Sequence, residues 1–396
     1  MIMNIHSLTP PRAQTWLRTL LFAAILGGCG GGVDSGGTGG AATYANGPIT
    51  GSGSIIVNGV RFDDSAAAIS DDSGPGRNRS ELKLGMVVEV QGSAISTDTA
   101  GDKSSTATSI KFNSELLGRV DSLDANTPRT SLVVIGQPVA ITATTVFDDG
   151  IVGGASALAP NDVVEVYALY NSATGRYTAT RVERKSGLQN EFRIRGKVSA
   201  FNPTARTFNI GTEQISYASP ADLPTGFTDG QIVRIRVNSA RTNLTWTATR
   251  LREGTSLPDD KSHARIEGIV NAIASPTAFD VDGRRVTTTA AVAGLALGKR
   301  VEVEGTMNGS VLEAITVSVE ADSGNTENQF VGPIEAKATP PLLTITVKGQ
   351  VISYTSGVDI RPSGSTVADL VVGRPVDVRA TLVNGNQLQA TRITLK

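Results

Sequence analysis

The chain has 396 residues, enough for several small domains with a hydrophobic core in each. Its 36 basic and 37 acidic side chains nearly cancel, which excludes a global field that would attract nucleic acid or an anionic membrane. Any electrostatic recognition must therefore be local. Aromatic residues make up only 5% of the chain, whereas Gly, Val, Ile and Thr are plentiful. This balance is typical of strands joined by tight turns and predicts an all-β fold.

The N-terminal segment has the anatomy of an export signal. Arg12 and Arg18 precede the apolar run "TLLFAAIL", and small residues follow it. A positive region, a short apolar region and small residues before a cleavage point are the parts of a signal peptide. The run is too short for a membrane-spanning helix, which needs roughly 20 apolar residues. We predict that residues 1–28 form a signal peptide that is removed.

Cys29 is the only cysteine, and its context "LGGC" resembles the lipobox of bacterial lipoproteins. In those proteins the cysteine is acylated, so the resemblance implies that Cys29 carries a lipid anchor and that a membrane is a partner. Gly30 follows Cys29. In the resembled family, an Asp at that position implies retention at the inner membrane. The resemblance therefore implies an outer-membrane lipoprotein, periplasmic or surface-facing. The Gly-rich stretch after Cys29 predicts a flexible linker, and we place the lipidated cysteine and this tether at residues 29–46.

A phrase of Ala, Thr, a variable residue and an aliphatic residue recurs along the rest of the chain and indicates an internal repeat. Its five copies, one of them the looser "AITV", begin at Ala107, Ala179, Ala248, Ala314 and Ala390. A segment of alternating apolar and polar residues precedes each copy, as in "MVVEVQG" and "KRVEVEG", which is the pattern of a half-buried strand. Between the apolar positions stands a charge that we expect to face solvent in every unit: Glu89, Glu165, Arg236, Glu302 and Asp377.

Each repeat unit, which ends with one copy of this phrase, opens with a Gly-x-aliphatic strand and continues with two short strands around a turn. Asn58-Gly59 and Asp282-Gly283 are the strongest turns, because a two-residue hairpin needs positive φ at both centres. The order strand, hairpin, crossover, strand, strand fits the OB barrel. An immunoglobulin-like sandwich is the alternative, but it needs about seven strands. We predict five tandem OB-like β-barrel units at residues 47–113, 116–184, 192–253, 264–320 and 329–396.

The lipobox followed by tandem "GxV … G … VEVxG … ATxI" units resembles exported bacterial proteins that carry the domain of unknown function 5666. The resemblance extends over residues 47 to 396. It departs in the second unit, where Asp162 stands in place of Gly, and in the fourth, where Ile315 stands in place of Thr. The matching motifs are structural, so the resemblance implies a fold and an exported location and transfers no catalytic residue.

Candidates for catalysis are few. The chain has two histidines, and one of them, His6, lies in the predicted signal peptide. His263 with a lipidated cysteine cannot assemble a His/Cys zinc site or a Cys-His dyad. The pattern "GxxxxGK[ST]" is absent, and no "GxSxG" occurs in a strand-to-helix context. Small barrels filled by side chains also offer little cleft for a pair of glycosidase carboxylates. We predict that the protein is not an enzyme and needs no cofactor.

Two acidic pairs that each follow a Phe are the candidates for a cation site. Adjacent carboxylates supply the oxygen ligands that calcium prefers. We predict no bound metal, and we keep four aspartates as the calcium candidates to examine: Asp63, Asp64, Asp148 and Asp149.

The third unit is rich in arginine. By strand alternation Arg250 shares a face with Trp246, and Arg234 and Arg236 lie on the strand before them. An aromatic ring beside guanidinium groups can stack on and pair with an anionic sugar. We favour the alternative, a core Trp beside solvated arginines.

These features support two hypotheses of function. The first is a cell-envelope lipoprotein that binds an anionic glycan or envelope polymer as a non-enzymatic module. The second is a structural scaffold whose repeats mediate protein–protein contacts at the outer membrane. OB barrels often bind single-stranded nucleic acid, but an exported protein rarely meets it, so we predict no nucleic-acid partner.

Overall fold

The computed structural model describes residues 42–99, 101–254, 258, 260, 262–320, 327–338, 340–383 and 386–396. Over these residues the protein is all-β, with short 3-10 turns at Arg79–Glu81, Gly154–Ala157, Pro220–Asp222 and Val367–Asp369. The predicted signal peptide, Cys29 and the tether as far as residue 41 lie outside the described residues. In the described part, no helix has the length and apolar character that crossing a membrane requires.

The strands follow one another in five groups. Barrel 1 contains β1 (Thr43–Ser52), β2 (Ile55–Val57), β3 (Val60–Asp63), β4 (Ala68–Asp71), β5 (Gly74–Pro75), β6 (Val87–Gly92), β7 (Ser96–Thr97) and β8 (Lys103–Phe112). Barrel 2 contains β9 (Leu116–Leu123), β10 (Ser131–Val134), β11 (Gln137–Ala140), β12 (Val146–Phe147), β13 (Val163–Asn171) and β14 (Arg176–Arg184). Barrel 3 contains β15 (Glu191–Asn202), β16 (Thr207–Ile210), β17 (Glu213–Ser216), β18 (Ile232–Asn238) and β19 (Trp246–Glu253).

The last two groups repeat the pattern. Barrel 4 contains β20 (His263–Ser275), β21 (Ala278–Val281), β22 (Arg284–Thr287), β23 (Arg300–Asn308) and β24 (Val311–Val319). Barrel 5 contains β25 (Glu327–Lys337), β26 (Thr344–Val347), β27 (Gln350–Ser353), β28 (Asp359–Arg361), β29 (Pro375–Val383) and β30 (Gln387–Leu395).

Each group closes on itself with the same connectivity, seen most simply in barrel 3. The long strand β15 pairs antiparallel with β16 and with β18, and β16 pairs antiparallel with β17. The last strand, β19, pairs antiparallel with β18 and parallel with β17, which closes the sheet. Barrels 1, 2, 4 and 5 repeat this order. It is the order of an OB fold, so the predicted fold class is confirmed and the sandwich alternative is wrong.

The two strongest predicted turns have the backbone that their sequences require. Asn58 and Gly59 have φ of 49° and 69°, and Asp282 and Gly283 have φ of 48° and 78°. Positive φ at both centres gives the turn a twist that matches the flanking strands. These hairpins therefore set the register of the second and third strands locally.

The predicted tether is too long at its C-terminal end, because β1 already begins at Thr43. Thr43 and Asn46 are buried, and the segment pairs antiparallel with β6 on one side and parallel with β20 on the other. The prediction is therefore wrong for residues 43–46. This segment lacks the branched apolar residues of a typical strand, and hydrogen bonding on both sides holds it in the sheet instead.

The barrels are joined to one another mainly through their first strands. β1 pairs with β20 of barrel 4 and with β25 of barrel 5, and β9 of barrel 2 pairs with β15 of barrel 3. Barrels 2 and 3 share one apolar core, whereas barrels 1, 4 and 5 each have a core of their own. The five barrels together form one compact unit.

A buried ion pair cluster lies where barrels 2, 3 and 4 meet. Arg195 is only 3% exposed, and its guanidinium lies 3.1 Å from Glu115 Oε2 and 3.0 Å from Asp282 Oδ1. It also donates to the Gly254 carbonyl oxygen at 2.5 Å. Burial alone would lower the pKa of Arg195, but the charges of Asp282 and Glu115 raise it above its usual value. This cation therefore stays charged and ties three barrels together.

The predicted solvated charges do not all face solvent. Glu165 and Asp377 are only 6% and 9% exposed. Glu165 pairs with Lys185 at 2.6 Å and Arg193 at 3.0 Å, and Asp377 accepts a hydrogen bond from Gln329 Nε2 at 2.8 Å. The expectation is wrong for these two residues, because part of the outer surface of a barrel is covered by its neighbours and by paired side chains.

Candidate functional site

Trp246 lies inside barrel 3 and not on its surface. Its ring is 5% exposed and meets Phe192 edge-on at 5.8 Å, and its Nε1 donates to Glu213 Oε2 at 2.6 Å. The guanidinium of Arg241 lies 4.6 Å from the ring centroid on the outer side. The hypothesis of an exposed face shared by Trp246 and Arg250 is therefore wrong, and the favoured alternative of a core tryptophan describes the structure.

A β-bulge explains why simple alternation fails here. On the pair of strands β18 and β19, Arg250 is opposite Arg236 but Ala248 is opposite Val237, so Thr249 is an extra residue at this step. An extra residue shifts the alternation of side chains by one position. Trp246 and Ala248 thus face the core, whereas Arg250 faces out. In every barrel the extra residue is the second residue of the repeated phrase: Thr108, Thr180, Thr249, Ile315 and Thr391.

Five arginines meet on the outer surface of barrel 3, where it faces barrel 1. Arg250 lies opposite Arg236, and Arg252 lies opposite Arg234, on neighbouring strands. We call the depression that they line the arginine recess; its lining consists of Arg193, Arg234, Arg236, Arg250, Arg252, Asp72, Ser114, Glu115, Ile194 and Ile235. Of these arginines, Arg234, Arg236 and Arg250 are the ligand candidates that the sequence predicts, and Arg193 and Arg252 join them in the structure.

Two of the predicted ligand arginines connect barrels. Arg234 donates to the Ser114 carbonyl oxygen and to Glu115 Oε1, both at 2.8 Å. Arg236 donates to Ser73 Oγ of barrel 1 at 2.8 Å and lies 3.4 Å from Glu191 Oε2. Each of these two guanidinium groups thus makes two polar contacts within the protein.

Arg250 and Arg252 differ from their neighbours. Both are exposed. Arg250 makes one hydrogen bond, to the carbonyl oxygen of Asp72 at 3.1 Å. Neither has an acidic partner among the residues that the structure describes. They carry the free positive charge of the recess, since a guanidinium has five N–H donors.

A larger depression separates barrels 1 and 2, and we call it the barrel 1–2 cleft. Its volume is about 1270 Å³ with its open mouth included. Both barrels contribute charged residues to its walls, and Met86, Phe112, Leu117 and Tyr167 contribute apolar surface. Ser114 and Arg193 line both the cleft and the arginine recess, so the two depressions adjoin.

The predicted calcium ligands of barrel 1 are engaged elsewhere. Asp63 Oδ1 accepts a hydrogen bond from the Ser65 amide at 3.1 Å, and hydrogen bonds from Ser65 lower the pKa of Asp63. Asp64 is buried and pairs with Arg79 at 2.6 Å. These carboxylates cap a turn and neutralise an arginine, which are the usual tasks of Asp in such loops.

The aspartates of barrel 2 behave in the same way. Asp148 accepts hydrogen bonds from the amides of Gly150 at 2.6 Å and Arg184 at 2.5 Å, and Asp149 is exposed. Within the described ranges, no group of three or more His, Cys, Asp or Glu side chains is arranged to hold a metal. We therefore do not retain the calcium candidates.

His263 begins β20 and is part of an ion pair at the junction of barrels 1 and 4. Its Nε2 lies 3.2 Å from Glu304 Oε1, and Lys103 of barrel 1 lies 3.2 Å from Glu304 Oε2. Over the described residues, no serine or threonine hydroxyl is hydrogen-bonded to His263. The arrangement is that of a structural contact between barrels.

The comparisons with known proteins agree with the repeat. No curated protein matches the chain. A family model described as "Domain of unknown function (DUF5666)" matches residues 118–183, 267–318 and 331–394, which lie in barrels 2, 4 and 5. Three of the five barrels therefore match this family model, which is consistent with a repeated domain of unknown function 5666.

Proposed function

We propose that this protein is an exported, membrane-anchored and non-enzymatic module of the cell envelope that binds an anionic glycan or envelope polymer at the arginine recess. The observation that carries the proposal is the pair Arg250 and Arg252, which are exposed and have no acidic partner within the described residues, beside arginines that are already bound to other groups of the protein. Carboxylate and sulfate groups match the planar donor fork of a guanidinium.

The recess is open and shallow, and this suits a polymer better than a small substrate. Small-molecule sites usually enclose most of the ligand surface, whereas here the two free guanidinium groups lie on an exposed strand. A chain of sugars can pass across such a surface and present one anionic group after another to it. The proposal is accordingly one of binding without chemical conversion.

Charge reversal tests the recess. We expect the double variant Arg250→Glu/Arg252→Glu to bind alginate, a polymer of uronic acids, at least about tenfold more weakly, because two charge-assisted contacts become repulsive. Affinity should be measured by isothermal titration on the soluble chain without residues 1–28, at low and at physiological ionic strength. Raising the salt concentration should weaken binding by the wild type, since exposed charges are screened.

A matched control uses exposed arginines of barrel 2. Arg119→Glu/Arg176→Glu changes the net charge by the same amount, and neither residue lines the recess. We expect this control to bind alginate within about twofold of the wild type. An equal loss in both double variants would mean that only the total charge matters, and it would remove the recess from the proposal.

The location rests on Cys29. We expect Cys29→Ser to abolish lipidation, so that the protein leaves the membrane fraction and becomes soluble or remains unprocessed. Fractionation of the cell envelope with immunoblotting measures this, and metabolic labelling with a fatty acid gives an independent reading. A Cys29→Ser protein that is processed and still found in the outer membrane would contradict the anchor.

A scaffold for protein contacts is the second candidate function, and exposed apolar residues of barrel 5 favour it. Leu342, Val351, Val371 and Val372 are each more than half exposed. Scattered apolar residues are normal on a protein surface, so they support this candidate less than the free guanidinium groups support glycan binding. Retention of alginate by the recess variant, together with a partner that binds barrel 5, would favour the scaffold.

A further inference from the structure

Tyr167 in the barrel 1–2 cleft has a polar group that the proposed recess does not explain. It lies on β13 of barrel 2, but its ring packs into the apolar cluster of barrel 1 with Met86 and Phe112. The residue is 98% buried (2% exposed) and lines the cleft. Within the described part of the chain its hydroxyl has no hydrogen-bond partner, and it is not one of the fully enclosed polar atoms, so it reaches the solvent of the cleft.

A hydroxyl that reaches the cleft and has no partner in the protein is available to a ligand. Water satisfies such a group until a ligand replaces it. Burial, together with the nearby charges of Glu165 and Glu183, raises the pKa of Tyr167, so the hydroxyl remains a proton donor at neutral pH. A ligand in the cleft can therefore accept a hydrogen bond from it in place of water.

The walls of the cleft are charged but almost balanced, which limits the class of ligand. Six basic and five acidic residues line it: Arg77, Lys83, Arg181, Arg184, Lys185, Arg193, Asp71, Glu81, Asp148, Glu165 and Glu183. Most of them are paired, as in Arg181–Glu183 at 2.6 Å and Lys185–Glu165 at 2.6 Å. A strongly anionic group would gain little here, because five of the six bases already have an acid beside them, Lys83 being the exception among the described residues.

Paired charges of this kind suit hydroxyl groups. A carboxylate oxygen has several acceptor sites, and a guanidinium has five donors, so each pair retains capacity for further hydrogen bonds. A sugar hydroxyl both donates and accepts and can bridge the two. The apolar surface of Met86, Phe112 and Tyr167 lies beside these groups and can cover the C–H face of a ring. The cleft therefore offers polar groups for the hydroxyls of an uncharged sugar and an apolar surface for the C–H face of its ring.

The position of the cleft relates it to the arginine recess. Ser114 and Arg193 line both depressions. A chain of sugars can therefore place an anionic unit at Arg250 and Arg252 and the next units in the cleft.

We propose that the barrel 1–2 cleft binds an uncharged, hydroxyl-rich sugar unit of the same polymer, and that the Tyr167 hydroxyl forms a hydrogen bond to that unit. This inference rests on the proposed function and specifies its ligand as a polymer in which anionic and uncharged sugars alternate. Neither a free anion nor a polymer of uronic acids alone fills the cleft.

The test uses a hyaluronan hexasaccharide, in which a uronate alternates with an uncharged N-acetylhexosamine. Tyr167→Phe should weaken its binding by about threefold to tenfold, the effect of one hydrogen bond. The melting temperature should stay the same or rise, because the hydroxyl has no partner in the protein. Binding of an alginate hexamer, which has no uncharged unit, should not change. Lys83→Gln, an exposed change at the rim, should weaken hyaluronan binding to a smaller degree.

Tyr354→Phe is the matched control. Tyr354 has a fully buried hydroxyl without a hydrogen bond, and it lies in the core of barrel 5, away from the cleft. This variant should bind the hexasaccharide as the wild type does. Equal affinity of Tyr167→Phe and the wild type for the hexasaccharide would overturn the inference. A wild-type protein that binds alginate but not hyaluronan would overturn it as well. In both cases the recess would stand if Arg250→Glu/Arg252→Glu still loses alginate binding. A wild-type protein that binds neither polymer would overturn the proposed function and this inference together.

Discussion

Replacing Arg195 by Ala lowers the free energy of unfolding by about 3 to 5 kcal/mol, the usual effect of removing one partner from a buried ion pair. The loss is large because Glu115 and Asp282 lie at 3.1 and 3.0 Å from this guanidinium and would remain in place without their counter-charge. Because barrels 2, 3 and 4 meet here, we expect one cooperative transition to move to lower denaturant concentration. Urea unfolding, followed by circular dichroism, measures the change.

An exposed ion pair of barrel 5 is the control for Arg195. Arg379 lies 2.9 Å from Glu327, and both side chains are more than a third exposed. Arg379→Ala should therefore cost less than about 1 kcal/mol. In addition, the double variant Arg195→Ala/Asp282→Asn should lose less unfolding free energy than the two single variants lose together. The reason is that Asp282→Asn removes a buried charge that has lost its partner. Similar losses for Arg195→Ala and Arg379→Ala would contradict the role of Arg195 as a tie between barrels.

Trp246→Ala should destabilise the protein by about 3 to 5 kcal/mol, the range for removal of a large buried aromatic side chain. The change leaves a cavity beside Phe192 and removes the donor that reaches Glu213 at 2.6 Å. Thermal and urea unfolding of the chain without residues 1–28 measure it. Leu188→Ala is the control, because Leu188 is an apolar residue almost fully exposed in a loop of the same region, and its loss should stay within about 0.5 kcal/mol.

Fluorescence gives an independent reading of the same residue. The sequence has two tryptophans, and Trp16 lies in the predicted signal peptide, so emission from the processed chain reports on Trp246 alone. A ring that is 5% exposed should emit at short wavelength and resist quenching by acrylamide until the protein unfolds. Strong quenching in the folded protein would place Trp246 on the surface and restore the face that the alternation predicted.

The packing of the barrels changes the meaning of the arginines. Composition alone marks the third unit as basic, and a basic surface suggests a ligand. In the structure, Arg195, Arg234 and Arg236 are bound to groups of other barrels, such as Asp282, Glu115 and Ser73. Much of the excess charge thus joins the barrels, and among the described arginines of the recess Arg250 and Arg252 remain available for recognition.

The arrangement also bears on the scaffold candidate. A row of independent repeats would tolerate loss of one unit with a gradual loss of reach. Here β1 of barrel 1 pairs with strands of barrels 4 and 5, which follow it by more than 200 residues in the chain. Removing barrel 4 would expose one side of β1 and leave Arg195 without Asp282. These barrels therefore act as one body, and their number does not simply set a length.

The sequence by itself determined the all-β class, the repeat and the OB order of strands. Those features are local: alternation within a strand, a Gly at each hairpin, and positive φ at Asn58-Gly59 and Asp282-Gly283. Each of these features can be recognised within a window of a few residues, and it recurs in several repeat units.

Only the tertiary structure decided where the functional surfaces lie. A bulge at Thr249 placed Trp246 in the core, neighbouring side chains covered Glu165 and Asp377, and the approach of barrels 1 and 2 made the cleft that contains Tyr167. Contacts such as Arg195 to Asp282 join residues 87 positions apart. The physical reason is that charge and exposure at a barrel surface depend on which other barrel packs against it, and alternation along one strand does not carry that information.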